Sequence, residues 1–69
     1  MKDQIKTALI AHAMGHIQKH KINVEIYLQN SVGIGEHSDV LEAIEKELNI
    51  IAEYDEQIQV LEKYFGDDQ

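Results

Sequence analysis

Residues 40–65 carry an apolar stripe whose members recur at steps of one, three or four positions. Only a helix places side chains with that spacing on one face, and the charged side chains between them remain in water. Asp39 followed by Glu42 has the spacing of a capping box, and Gly66 follows the last apolar member. The pattern therefore predicts a helix over 38–65. The stripe consists of Val40, Leu41, Ile44, Leu48, Ile51, Tyr54, Ile58, Leu61 and Phe65.

A second stripe at helical spacing predicts another helix over 2–29. Several members of both stripes are seven residues apart, a spacing that suits helices packed at shallow angles. Between the stripes, residues 30–37 include two glycines and predict a short loop. We therefore expect a single all-α domain over 1–69, a helical hairpin. The second stripe consists of Leu9, Ile10, Ala13, Met14, Ile17, His20, Val24, Tyr27 and Leu28.

One segment, residues 22–28, also fits a strand. Its apolar members Ile22, Val24, Ile26 and Leu28 alternate with other residues, and three of the four are β-branched. A helix–strand–helix chain is therefore an alternative. Its strand would pair with that of a second copy, because a two-stranded ribbon needs further cover to be stable in water.

Both interpretations predict a homodimer. A chain of 69 residues buries a small core, and this one has no cysteine to form a disulfide. Pairing two hairpins into an antiparallel four-helix bundle would cover the apolar side chains beside the seam. The flanking residues expected to be wet in a monomer are Leu9, Leu28, Leu41, Leu48 and Tyr54. The residues expected in the core or the dimer interface are Ile10, Ile17, Val24, Leu28, Ile44, Leu48, Ile51, Ile58 and Leu61.

Charge separates the chain into two halves. The net charge is −7, with four lysines against two acids in residues 1–30 and two lysines against eleven acids in residues 31–69. Arginine is absent, and direct binding to a nucleic-acid backbone is disfavoured because phosphate contacts need clustered basic side chains. No stretch is apolar enough to span a bilayer and no signal peptide is visible, so we expect a cytoplasmic protein without membrane contact.

Histidines at positions 12, 16 and 20 follow one helical ridge. Two histidines four residues apart can share a divalent metal, with a carboxylate from Glu53, Asp55 or Glu56 completing the site. The paired Glu-x-x-His motifs of metal-binding bundles are absent, so we predict neither a metal nor another cofactor. The simpler interpretation places one ring on the surface and two at or beside the seam. The candidates, if a metal binds, are His12, His16 and His20.

Two surfaces are candidates for binding a partner protein: the acidic face of the second helix and the tip of the loop. Two branched apolar residues in a short loop, here Val32 and Ile34, usually fold back over the end of the bundle or contact a partner. Gly33 and Gly35 do not form a phosphate-binding loop, because the third glycine and the following Gly-Lys-Ser are missing. Glu47 and Asp55 lie near the stripe edge and are expected to pair with Lys19 or Lys21. The predicted partner-binding residues are Val32, Ile34, Glu36, His37, Glu45, Glu53 and Glu56.

Residues 24–39 carry a resemblance. The run Val-Glu-Ile-Tyr-Leu-Gln-Asn-Ser-Val-Gly-Ile-Gly-Glu-His-Ser-Asp, followed by the acidic helix, resembles small uncharacterised proteins encoded by marine tailed phages of cyanobacteria. The resemblance covers most of the chain and is strongest from Val32 to Asp39. It implies a viral origin and expression in the cytoplasm of a bacterial host, and it brings no activity, cofactor or catalytic residue.

The sequence contains no Ser-His-Asp or Cys-His arrangement, so we do not expect an enzyme. We expect a small acidic protein that acts through protein–protein interaction, as a phage accessory factor that binds a host or phage protein. Two alternatives remain: a metal-binding helical bundle, and an acidic mimic of nucleic acid that inhibits a DNA-binding protein.

Overall fold

The computed structural model describes residues 1–30 and 37–66, apart from the side chains at positions 30, 37 and 38. It contains two α-helices, α1 over Lys2–Asn30 and α2 over His37–Phe65. The helices pack against each other in a rod of 51 × 16 × 12 Å. The predicted all-α helical hairpin is confirmed, and each predicted helix boundary lies within one residue of the observed one or coincides with it.

The helices are antiparallel, since contacts between them join early residues of one to late residues of the other. Near the middle of α1, His12 contacts Tyr54, whereas His20, two turns later, contacts Glu47. The amino terminus of α1 and the carboxyl terminus of α2 therefore lie together, at what we call the open end of the hairpin. Neither helix, over the described residues, has a stretch both long and apolar enough to cross a membrane.

The alternative with a strand over residues 22–28 is wrong, because the whole segment belongs to α1. Val24 is half-buried against α2, whereas Ile22, Ile26 and Leu28 are exposed. Alternation therefore does not create a buried strand face here. In a helix each peptide group bonds to its own chain, so the segment needs no partner strand, and tertiary context overrides the β-propensity of branched residues.

A seam runs between the helices along positions spaced alternately three and four residues apart. Ala13 is the buried centre of the seam, with 2% of its surface exposed, and the other seam residues are half-buried. This spacing averages 3.5 residues per turn, which keeps both rows facing each other over the full length of the rod. The α1 row is Lys6, Ile10, Ala13, Ile17, His20 and Val24. The α2 row is Val40, Ile44, Glu47, Ile51, Tyr54, Ile58 and Leu61.

Local features explain where the helices begin and end. The Met1 carbonyl accepts a hydrogen bond from Ile5 N at 3.0 Å, which closes the first turn of α1. Asp39 lies inside the first turn of α2, near the positive end of the helix dipole. After α2, a Cβ at Gly66 would lie 2.6 Å from the Glu62 carbonyl oxygen, so only glycine allows this close approach.

Candidate functional site

A polar cluster interrupts the apolar seam between Ala13, at the centre of the seam, and the end of the hairpin opposite to the open end. It consists of His20 and Asn23 from α1 and Glu47 from α2, and we call it the seam cluster. His20 Nδ1 lies 2.6 Å from Glu47 Oε1, and Asn23 Nδ2 donates a hydrogen bond to the same oxygen at 2.9 Å. The side chains of His20 and Glu47 are only 13% and 17% exposed. Two donors from one helix therefore converge on a single carboxylate of the other.

The heptad pattern places these groups together. His20 follows the buried Ala13 by seven residues, and Glu47 follows the half-buried Val40 by seven residues. Both therefore occupy seam positions at which an apolar residue is usual. A carboxylate at such a position needs hydrogen-bond donors, because an unpaired buried charge is costly.

Glu47 is the charged centre of the seam cluster. Hydrogen bonds from His20 and then Asn23 hold the pKa of the Glu47 carboxyl below its ordinary value, against the opposing effect of burial. The nearby charges of His20 and Lys19 act in the same direction as the hydrogen bonds. An ionised carboxylate only accepts hydrogen bonds, so His20 Nδ1 carries a proton and donates it toward Glu47.

From the seam cluster toward the open end of the hairpin, histidine rings form a ladder along α1. The ladder consists of His12, His16 and His20. The His16 ring stacks on Tyr54 of α2, with centroids 4.5 Å apart and planes 9° apart. His12 meets His16 edge to face at 4.5 Å, and His20 is nearly parallel to His16 at 6.2 Å. The ladder therefore packs against the second helix through aromatic contacts.

His16 is the member of the ladder whose charge is least favoured. Burial lowers the pKa of the His16 ring, and the positive charges of His12, Lys19 and His20 lower it further. The His16 ring that stacks on Tyr54 is therefore a neutral imidazole near pH 7. Protonation of His16 would place a new positive charge against the half-buried Tyr54 ring and near the positive charge of Lys19.

The structure brings no metal ligands together in the part that it describes. No group of three or more histidine, aspartate or glutamate side chains there could hold a metal ion. His16 faces Tyr54, and His20 faces Glu47. The proposed carboxylate ligands on α2 are exposed, and one of them, Asp55, accepts a hydrogen bond from Gln59 at 2.8 Å.

The predicted partner-binding residues fall into two groups. The loop residues Val32, Ile34 and Glu36 lie outside the described residues, and His37 is the first residue of α2, with its side chain also outside them. The exposed carboxylates on α2 are Glu45, Glu53 and Glu56.

The residues predicted for the core or the dimer interface also fall into two groups, exposed and half-buried. Leu28 and Leu48 are exposed, so neither belongs to the seam within one chain. The half-buried members are Ile10, Ile17, Val24, Ile44, Ile51, Ile58 and Leu61. Of the five residues expected to be wet in a monomer, Tyr54 is instead half-buried against the histidine ladder. The exposed members are Leu9, Leu28, Leu41 and Leu48.

The sequence interpretation missed the partners of Glu47. It paired this carboxylate with Lys19 or Lys21, whereas His20 and Asn23 bind it. The sequence did contain a signal for these partners. His20 lies seven residues after Ala13 and Glu47 lies seven residues after Val40, and this spacing places both in the seam. Lysine side chains beside the seam reach water more easily than its interior.

We predict that Glu47→Gln lowers the melting temperature at pH 7 by several degrees. The substitution preserves the shape of the side chain but removes the charge that strengthens both hydrogen bonds. Thermal unfolding followed by circular dichroism, at one fixed protein concentration, measures the change. Glu45→Gln is the matched control, since it removes the same charge from an exposed position two residues away. Equal melting temperatures for the two variants would show that the seam cluster adds no stability.

We also predict that acid destabilises the hairpin through His16. Because the folded-state pKa is lowered, the unfolded chain takes up this proton first as the pH falls. The stabilisation is complete above the ordinary histidine pKa of about 6.5 and is lost as the pH falls through the lower folded-state value. Glu47 acts only in more acidic solution, since the pKa of its carboxyl is also lowered.

The measurement is the melting temperature of the wild type and of His16→Gln between about pH 7.5 and about pH 5.5. The wild type should lose more stability than the variant over this interval. His37→Gln is the control, because His37 is not among the groups that lower the pKa of His16, and this variant should retain most of the wild-type response. The same loss in wild type and His16→Gln contradicts the assignment.

Comparisons with known proteins do not assign this hairpin to a family. The chain matches no family model, no curated protein and no solved structure. The resemblance to phage proteins therefore stays a prediction. What the protein binds has to be inferred from its seam and its surfaces.

Proposed function

We propose that this protein is a non-enzymatic interaction protein that first binds a second copy of itself and then a basic partner protein. One observation carries the proposal: among the described residues the hairpin buries only Ala13 fully, while thirteen large apolar side chains are exposed. A two-helix rod has too little interior to cover them. A partner with an apolar face would remove them from water.

The energies favour association only when a whole face is covered. Fully burying a large apolar side chain contributes about 1.5–3 kcal/mol, so a side chain already half-covered contributes about half of that. Four such side chains per copy would supply roughly 6–12 kcal/mol to a dimer. The loss of rigid-body freedom costs about 4–15 kcal/mol. A contact through one or two residues is therefore insufficient, and an extended helical surface is the suitable partner.

The second part of the proposal concerns the outer surface of α2. This helix contains eight acids and two lysines, and the carboxylates of Glu45, Glu53 and Glu56 are exposed on it. Such a surface suits a basic protein, because complementary charge accelerates encounter and selects the partner. We propose a host or phage protein in a bacterial cytoplasm as that partner, in keeping with the resemblance to phage proteins. A partner that normally binds DNA would make the chain an acidic mimic.

We predict that the chain is a dimer at micromolar concentration. Sedimentation equilibrium should give twice the chain mass of 7.9 kDa. The melting temperature should rise with protein concentration, because association stabilises the folded state. A stable species of 7.9 kDa whose melting temperature does not depend on concentration would refute self-association.

For the basic partner, we predict that the wild-type chain captures basic proteins from a bacterial host lysate in low salt and releases them above about 0.5 M salt. Changing Glu45, Glu53 and Glu56 together to glutamine should abolish the capture, since it removes three exposed charges. Ile34→Asp provides the contrast. Capture that resists salt and is lost with Ile34→Asp would assign binding to the loop, in place of the acidic surface.

A further inference from the structure

We infer that the second copy lies along the face of the hairpin that carries Leu9 and His16, with the open ends of the two hairpins together. In this arrangement α1 of each copy packs against α2 of the other. The inference rests on the self-association proposed above. It adds which face is covered and how the two copies are oriented.

The first observation is a continuous apolar surface at the open end, formed by both helices. A groove of about 440 Å³ is lined by Ile5, Leu9, Leu61 and Phe65 together with two lysines. We call these four apolar residues the open-end patch. All of them except Leu61 are exposed, so the patch is uncovered within one chain.

The patch lies on one side of the seam. Leu9 immediately precedes the seam residue Ile10, and Gln57 immediately precedes the seam residue Ile58. Leu9 and Gln57 line one small groove of about 100 Å³ between the helices. His16 follows Leu9 by seven residues, so it continues the same face toward the middle of the rod.

Toward the loop, the same face becomes polar. Ala43 precedes Gln57 by fourteen residues, which places both on one side of α2. Ala43 lines a groove together with charged side chains, among them Asp39, Glu42 and Lys46. A two-fold dimer with opposite ends together would lay the open-end patch of each copy on these charges. Only the arrangement with the open ends together covers apolar surface with apolar surface.

The second observation is the charge of each helix. α1 contains four lysines and two acids, whereas α2 contains two lysines and eight acids. With open ends together, each α1 has an α2 of opposite sign and opposite direction on both sides, as in an antiparallel four-helix bundle. With opposite ends together, the two acidic helices would lie against each other. Complementary charge therefore selects the same orientation as the apolar patch.

The area of the face is adequate for a stable dimer. A rod 51 Å long and 16 Å wide presents a face of roughly 800 Å², and a stable interface buries about 800 Å² on each partner. A second hairpin lying along the full length covers such an area. A partner resting on the open-end patch alone does not.

Distances between spin labels on the two copies test the orientation. The chain contains no cysteine, so Gln4→Cys and Gln18→Cys each introduce a single labelling site. Both glutamines are exposed, and they lie fourteen residues apart on one side of α1. Gln4 is near the open end, whereas Gln18 is near the middle of the rod. With the open ends together, equivalent residues of the two copies lie at the same height along the rod. We therefore expect double electron–electron resonance to give distances that agree within about 5 Å for the two sites, although the sites are fourteen residues apart along a helix that rises about 1.5 Å per residue.

Each other outcome has a distinct meaning. With opposite ends together, the Gln4→Cys distance would exceed the Gln18→Cys distance by about 15–20 Å, and the inferred orientation would be wrong while self-association stood. An absence of dipolar coupling at both sites, with a mass of one chain, would overturn self-association itself.

A pair of lysine substitutions tests the face. Leu9→Lys should weaken dimerisation at least tenfold, measured as the dissociation constant in sedimentation experiments. Ile22→Lys is the matched control, because Leu9 and Ile22 are both 52% exposed on α1. Ile22 follows Leu9 by thirteen residues, which places it about 140° further round the helix and away from this face. Circular dichroism verifies that both variants remain helical. An unchanged dissociation constant for Leu9→Lys would place the interface elsewhere on the hairpin.

Discussion

The structure depends on a seam that only two rows of side chains can fill. In a pair of helices each side chain is covered from one direction, because no third element closes the space above or below. Ala13 is fully buried since its short side chain ends at the point where the helices meet. Longer side chains such as Ile17 and Ile51 are only half-buried in the seam and remain partly in water. The hairpin therefore has a core one residue deep.

Within this seam, the seam cluster sets how the helices are aligned. Apolar rows spaced alternately three and four residues apart pack almost equally well when one helix slides by a heptad. An ionised Glu47 does not tolerate such a slide, because its carboxylate would lose the donors of His20 and Asn23. The polar residues of the seam cluster take positions at which apolar side chains would otherwise pack, and in exchange they favour a single alignment of the two helices. The stacking of His16 on Tyr54 supports the same alignment one turn further along.

The thinness of the seam also explains the proposed function. Apolar side chains that cannot enter it lie on its two sides, as Leu9 and Leu48 do, and they form surfaces suited to another helical chain. Charge is divided between the helices, with lysines in excess on α1 and acids on α2. A second copy can satisfy both features at once, by placing each helix against its opposite. The outward acids of α2 then remain available to a basic protein.

The sequence by itself determined the second helix, the amino-terminal part of the first and the positions at which both helices end, because helix formation is local and the apolar stripes are long. It left residues 22–28 undecided, since branched residues with alternate spacing fit a strand as well as a helix. Only the tertiary structure decided which side chains meet across the seam. Lys19, His20 and Lys21 are neighbours in sequence, and the rotation of α1 about its own axis selects His20 for Glu47. Neither helix encodes that rotation alone, because it depends on how closely the two backbones approach at Ala13 and on which side chains then fit between them.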